Sequence, residues 1–394
     1  MIYRFIKLSP YLIILPLLVF SFSSKAQYTL RFEILSVPAP GADSVYVAGN
    51  FNSWNPKMPA AIFSREKDKL ILEIHNLPKN IFEFKFTRGG WDKVETTKEG
   101  GDITNHLVNL LSDTVVQYRI AAWRDAFPQV SIKRHTASAN VHILDSSFAM
   151  PQLKRTRKIW IYLPNGYEKS KKKYPVLYMH DGQNDFDEYT AGFGEWGVDE
   201  CVDSLIKKGS PASIIVGIEN GPQRMNEYNP FDFERFGKGE GDQYLGFIVN
   251  TLKPFIDKNY RTLKNAENTI IAGSSMGGLI SYYAILKYPK VFGKAGIFSP
   301  AFWTAAPAIY QWTDSLAQNI NAKLFFYMGD MEGDNAVQDM FTITEKLGKN
   351  SNSMIYTITD PEGRHNEVYW RKWFAEFYRW ITADGYNSVI KKGD

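Results

Sequence analysis

The sequence predicts a small all-β sandwich followed by a doubly wound, mostly parallel α/β domain. Three observations carry that prediction. From residue 28 to about 124 the chain runs in short, alternating β-rich segments with no helical period between them. From His135 onward strands alternate with helical stretches, the pattern of βαβ units. Between the apolar run Thr269-Ile270-Ile271-Ala272 and a helical pattern at Leu279, Tyr282, Tyr283 and Leu286 lies Gly273-Ser274-Ser275-Met276-Gly277. Strand, tight turn and helix around G-x-S-x-G is the local context of a nucleophile elbow.

The first 26 residues read as a secretory signal peptide rather than as part of the fold. Arg4 and Lys7 form a basic start, Tyr11 to Phe22 an apolar core, and Ser24-Lys25-Ala26 a small-x-small cleavage site. That core is too short to span a bilayer. Its removal takes away Arg4, Lys7 and Lys25 and no acid, so the net charge of +4 falls to +1. A nearly neutral chain offers no electrostatic case for nucleic acid or a membrane surface. The expected address is outside the cytoplasm, periplasmic or extracellular. Cys201 is the one cysteine, so the fold must rest on its core without an internal disulfide.

Residues 27–124 are expected to form the β-sandwich, with strands at Tyr28–Val37, Ser44–Gly49, Leu70–Leu77, Phe82–Thr87 and Thr114–Ala121. The segments VYVAGNFNSWNP and FEFKFTRGGWDKVETTKEGGDITNHLV present Trp54 and Trp91 beside turn residues. These segments resemble starch- and glycogen-binding carbohydrate-binding modules. The resemblance implies that Trp54 and Trp91 stack on glucose rings, with Lys85 and Asn105 as polar neighbours. Residues 125–135 read as a linker.

Residues 136–394 form the α/β part. Strands are expected at Val141–Leu144, Lys158–Leu163, Tyr174–Met179, Ser213–Glu219, Lys294–Ser299, Lys323–Met328 and Met354–Thr359. Helices are expected at Glu195–Lys207, Gln243–Lys258, Asp334–Leu347 and Glu367–Ile381, with a weak one about Ala317. That order fits the α/β-hydrolase fold. In this fold the nucleophile is followed in sequence by an acid and then a histidine. His365 is the only histidine after Ser275, and it sits in a turn beyond the last strand. Ser275 is therefore the expected nucleophile and His365 the general base. The acid should follow the strand ending at Met328, where Glu332 is preferred over Asp330 and Asp334.

A serine hydroxyl also needs two N–H groups to hold the oxyanion. Met276 supplies one by following the nucleophile, and Gln183, in His180-Asp181-Gly182-Gln183-Asn184, is expected to supply the other. The long loop Asn220–Gln243 carries Arg224 and Tyr228 and, with Trp303, is expected to contact substrate. No metal or cofactor is expected: His-x-x-His and HExxH are absent, and the acids at 330–334 lack calcium-loop spacing.

YPVLYMHDGQNDFD, VGIENGPQRMNEYNPF, GSSMGGLISYYAILKYP, GIFSPAFW and GRHNEVYW occur in this order. Together they resemble the esterase D / putative-esterase family of α/β-hydrolases, which includes feruloyl, acetyl-xylan and enterochelin esterases and mycolyltransferases. The resemblance covers about residues 136–383. It implies Ser275, Glu332 and His365 as a triad, with the N–H groups of Gln183 and Met276 as oxyanion hole. The function expected from all this is a secreted serine esterase acting on an acyl ester, carbohydrate-linked or related, through an acyl-enzyme. The competing expectations are an acyltransferase of the mycolyltransferase type and a glycan-binding protein with an inert hydrolase domain.

Overall fold

A computed structural model describes residues 27–38, 44–52, 54–101, 103–127, 134–234, 236–333 and 335–383. The expected signal peptide (1–26), the middle of the expected linker (128–133), Arg235 and Asp334 lie outside the described residues. The chain divides into two compact units, Met1–Phe127 and Pro128–Asp394.

Among its described residues the first unit is built from strands joined by turns, four of them single 3-10 helical turns. The strands are β1 (Gln27–Ser36), β2 (Tyr46–Gly49), β3 (Ser64–Glu66), β4 (Lys69–Pro78), β5 (Asn80–Thr87), β6 (Glu95–Thr96), β7 (His106–Leu110), β8 (Thr114–Arg119) and β9 (Ala122–Trp123). One sheet runs β3-β4-β1-β8 and another β2-β5-β7. Alternation puts Leu30, Phe32 and Ile34 of β1 into the same core as Phe82, Phe84 and Phe86 of β5. Trp123 is the tryptophan of that core. Trp54 and Trp91 are not in it. Both are half-buried at the surface, their rings 6.3 Å apart and tilted by 39°.

The second unit holds one eight-stranded sheet. Its strands are β10 (Val141–Met150), β11 (Arg155–Tyr162), β12 (Val176–His180), β13 (Ile214–Ile218), β14 (Thr269–Ser274), β15 (Lys294–Phe298), β16 (Lys323–Gly329) and β17 (Met354–Asp360). Their spatial order is β10-β11-β13-β12-β14-β15-β16-β17. The β10–β11 and β11–β13 pairs are antiparallel, and the rest are parallel. This is an α/β-hydrolase-like fold. Helices α1 (Val198–Lys207), α2 (Arg224–Glu227), α3 (Gly241–Phe247), α4 (Lys253–Asn259), α5 (Met276–Lys287), α6 (Ala308–Leu316), α7 (Ala336–Asn350) and α8 (Glu367–Thr382) fill the connections.

Strand alternation separates two cores, one on each face of the sheet. Ile159, Ile161, Val176 and Tyr178 face one, with α5 and α7. Trp160, Tyr162, Leu177 and Met179 face the other, with α1 and α8. The central strands are apolar on both faces, as strands covered on both sides must be. The helix expected over 243–258 is not continuous. A wide turn, Ile248–Leu252, joins α3 to α4, just before Pro254, which has no N–H to donate. The weak helix expected about Ala317 is centred earlier, in α6.

Candidate active site

The parallel strands β12, β14, β15, β16 and β17 all end at one sheet edge, and the residues just past those ends carry the polar chemistry. Crevices at the carboxyl ends of parallel strands are the usual ligand sites of α/β sheets. Ser275 follows β14, with φ 59° and ψ −121°, a conformation that bulky residues avoid and that turns a side chain out of the strand-to-helix corner. Its backbone is pinned on both sides. Its N–H donates to Phe298 O at 2.9 Å, and its carbonyl accepts from Leu279 N and Ala301 N at 3.0 Å each. The elbow glycine at 273 is required by packing, since a Cβ there would lie 3.0 Å from His180 Cδ2 and 3.1 Å from Gly277 C.

Past β16 and β17, the segments bearing Glu332 and His365 are pressed together. A Cβ on Gly329 would come within 2.3 Å of Gly363 C, so glycine is the residue that permits the contact. Met331 N also donates to Gly363 O at 3.0 Å. The result is a 2.7 Å hydrogen bond between His365 Nδ1 and Glu332 Oε2. The Glu332 side chain is 2% exposed and the His365 side chain 39% exposed. The other carboxylate oxygen, Oε1, accepts from Ser299 Oγ at 2.6 Å and from Gly329 N at 3.0 Å. Ser299, itself at φ 42°, accepts from Trp370 Nε1 at 2.8 Å. The Trp370 ring stands edge-on to His365, with centroids 5.1 Å apart. Asp330 is exposed at the start of the same turn. An imidazole held by a buried, triply bonded carboxylate can accept a proton from a hydroxyl and return it to a leaving group.

After β12 the chain turns through Asp181, at φ 65°, into the short turn Gly182–Asn184 that contains Gln183. A Cβ on Gly182 would strike Gly217 C at 2.6 Å, so this turn lies tight against β13. The Gln183 side chain accepts from Asn220 N at 3.1 Å, and its carbonyl accepts from Thr190 Oγ1 at 2.7 Å. Met276 opens α5, where the first N–H groups of a helix have no intrahelical acceptor.

Arg224 and Tyr228, both expected to contact substrate, are engaged within the protein, Arg224 partly exposed and Tyr228 fully buried. The Arg224 guanidinium is taken up by Asp181, with Nε to Oδ1 at 2.7 Å and Nη2 to Oδ2 at 2.8 Å. Asn220 Nδ2 adds a third donor at 2.6 Å. Burial alone would raise the Asp181 carboxyl, but Arg224 and Asn220 hold it below the usual carboxylate range. Tyr228 is fully buried, against His180 (5.1 Å) and Tyr244 (4.9 Å), and so does not line an open pocket. The physical cause lies one residue earlier. Glu227, fully buried, accepts from Arg157 and Arg155 of β11 at 2.7 and 2.8 Å and draws the loop down onto the sheet. His180 lies in the same cluster, 2.8 Å from the Tyr244 hydroxyl, and burial pushes its imidazole down to about 3. Trp303 is 53% exposed beside Phe233 and Phe236, two residues past Ala301, whose N–H binds the Ser275 carbonyl.

The sequence reading missed Ser299, Trp370 and Glu367. Ser299 lies just past β15, and Glu367 and Trp370 lie two and five residues after His365, in the first turn of α8. Glu195, Asp199 and Glu200 bring three carboxylates together at the start of α1, but Thr136 and Arg371 already bind Glu195 and Ser138 binds Asp199.

Residues 150–381 match the family model described as Putative esterase. An uncharacterised protein, YbbA, of Bacillus subtilis is 28% identical over 252 residues, which are 59% of this chain and 95% of YbbA. An endo-1,4-beta-xylanase/feruloyl esterase of Xylanibacter ruminicola is 32% identical over 143 residues, 35% of this chain and 19% of that protein. Among solved structures, the enterobactin esterase FES of Shigella flexneri shares the fold at 15% identity and TM-score 0.51, over 86% of this chain and 88% of its own.

Proposed function

The chain belongs to the Putative esterase family and is a carboxylic ester hydrolase, and from that premise we propose that it works as a serine esterase with Ser275 as nucleophile, His365 as general base and Glu332 as the acid. The observation that carries this reading is the 2.7 Å bond from His365 Nδ1 to Glu332, one strand end from a serine held at left-handed φ. Because Nδ1–H donates to Glu332, the lone pair sits on Nε2, the nitrogen that takes the Ser275 proton as Oγ attacks the ester carbonyl. The N–H groups of Met276 and Gln183 receive the developing oxyanion. His365 then protonates the leaving alkoxide, and the acyl-enzyme is hydrolysed by water activated at the same nitrogen.

A carbohydrate-linked substrate is supported by two observations. One is the segment shared with a xylanase/feruloyl esterase. The other is the half-buried Trp54–Trp91 pair, whose faces suit a sugar ring. We further propose that residues 1–26 direct export, with the mature protein working in the periplasm or outside the cell.

The test is hydrolysis of acetyl, butyryl and feruloyl esters by the mature protein and by Ser275→Ala. Wild-type turnover on at least one ester, with kcat lower by about 10⁴ or more in the variant, is expected. Turnover that survives in Ser275→Ala refutes the assignment of the nucleophile.

A further inference from the structure

The two N–H groups assigned to the oxyanion come from separate pieces of chain. Gln183 sits in the turn after β12, and Met276 opens α5 after β14. The ladder between β12 and β14 ends at Met179 opposite Ala272, short of both donors. Their separation therefore has to be set by contacts beyond the sheet.

Arg224 reaches both pieces. Its Nε and Nη2 bond the Asp181 carboxylate at 2.7 and 2.8 Å. The same Nη2 donates to the Ser274 carbonyl at 3.4 Å. Asp181 stands two residues before Gln183, and Ser274 two residues before Met276. The guanidinium carbon lies over the buried Tyr228 ring, 5.1 Å from its centroid, which holds the fork in place from one side. Asn220 completes the anchorage of the turn. Its Nδ2 donates to Asp181 Oδ1 at 2.6 Å, and its backbone N–H donates to Gln183 Oε1 at 3.1 Å. Arg224 also compensates a charge. A Cβ on Gly277, in the first turn of α5, would lie 3.5 Å from Asp181 Oδ2. An uncompensated carboxylate there would repel an oxyanion forming at the Met276 N–H.

We propose that Arg224 is the positioning residue of the oxyanion hole: it ties the segment carrying Gln183 to the segment carrying Met276 and neutralises the carboxylate beside them, without touching substrate. The inference rests on the serine esterase reading. The negative oxygen develops only on the way to the tetrahedral intermediate, so a residue that acts through the hole changes kcat and leaves KM alone. A guanidinium is a planar fork that serves two acceptors at once. A lysine ammonium keeps the charge against Asp181 but does not reproduce the fork.

The experiment compares wild type, Arg224→Lys and Arg224→Met on the best ester of the acetyl, butyryl and feruloyl panel. It also measures inhibition by a trifluoromethyl ketone carrying the same acyl group. Ser275 Oγ adds to the ketone carbon, its proton passes to His365 Nε2, and the carbonyl electron pair moves onto the oxygen, which takes the oxyanion position. Arg224→Met is expected to lower kcat about 10²- to 10³-fold, as removal of one oxyanion donor does, with KM near wild type. Arg224→Lys should lose less, about tenfold, because the charge is kept and the fork is not. In each variant Ki for the ketone should rise by the factor by which kcat/KM falls. Where Arg224→Met does not fold, Arg224→Lys carries the test. A role in folding alone lowers the fraction of active enzyme but leaves Ki unchanged, and that result overturns the proposal. A raised KM with unchanged kcat overturns it too, by making Arg224 a substrate contact. Ser275→Ala run alongside separates the two readings. Activity lost there while the Arg224 variants keep wild-type kcat and Ki overturns the positioning role alone, and activity retained there overturns the serine assignment beneath it.

Discussion

Replacing Ser299 with alanine removes one side chain that touches no substrate in the proposed mechanism, and should nevertheless lower both activity and stability. Glu332 is held by three donors: Ser299 Oγ at 2.6 Å, Gly329 N at 3.0 Å and His365 Nδ1 at 2.7 Å. Ser299→Ala deletes the shortest and leaves Trp370 Nε1, buried, without its acceptor. A hydrogen bond to a charged group contributes about 1.5–3 kcal/mol, and an orphaned buried donor costs about 1–3 kcal/mol. Partial relaxation brings the expected destabilisation to about 2–4 kcal/mol, a fall in Tm of roughly 5–15 °C for a domain of this size. The two surviving donors still orient Glu332, so kcat should drop by about tenfold with KM unchanged, far less than loss of the carboxylate itself. Thermal unfolding followed by circular dichroism, together with steady-state kinetics on the best ester of the panel, reads both quantities. Trp370→Phe removes the N–H together with half of a buried indole, so it should lower Tm through the cavity as well, but it leaves Ser299 bonded to Glu332 and should lower kcat less than Ser299→Ala does. A Ser299→Ala protein with wild-type Tm and wild-type kcat would refute the claim that this relay positions the acid.

The remaining predictions use the same protein and simple readouts. Glu332→Gln should lower kcat by about 10³–10⁴, as the loss of a triad acid does, whereas Asp330→Asn, at an exposed position, should leave kcat unchanged; the reverse ranking would reassign the acid. Arg224→Met strips a buried carboxylate of its bidentate partner and should cost about 3 kcal/mol in urea unfolding. Adding Asp181→Leu should recover much of that loss, and additive losses would show that the pair is not coupled. Glu367 has its folded-state pKa raised from 4.5 to about 7. Its contribution is therefore fully present below pH 4.5 and lost as pH rises through 7. Glu367→Gln should match wild type at pH 4 and exceed it at pH 8 by up to about 3 kcal/mol; an identical pH profile would show that the carboxyl is not buried.

Which parts of this site were legible in the sequence follows from the range of the interactions that build them. The elbow is a local feature: an apolar strand, glycines at 273 and 277 and a helix, all within twenty residues. His365 was legible because fold order leaves one histidine after Ser275. Glu332 was preferred over Asp330 and Asp334 without a decisive local signal, because one turn of chain, Asp330–Glu332, leaves Asp330 exposed and puts Glu332 inside. Tyr228 was read as a substrate contact for want of a long-range fact, the ion pairing of Glu227 with Arg155 and Arg157 some 70 residues away. The pairing of Trp54 with Trp91 was likewise invisible, since it depends on the β2–β5 register, Val47 opposite Phe86.

The same distinction between committed and uncommitted groups says where substrate choice should reside. Glu332 has three donors, Asp181 has Arg224 and Asn220, and the Gln183 side chain has the Asn220 amide. The Glu332 and Asp181 carboxylates, so fully engaged, hold geometry well but have little capacity left to discriminate between ligands. Discrimination is strongest where a buried polar group is satisfied only by the right partner. The exposed side chain of Trp303 can add contact area, but apolar contact separates close analogues by only about 1–3 kcal/mol. Acyl size should therefore change kcat/KM gradually across the panel, by about 10- to 200-fold at most for one methylene, and a sharper cut-off between acetyl and butyryl esters would show that the acyl pocket excludes by steric closure.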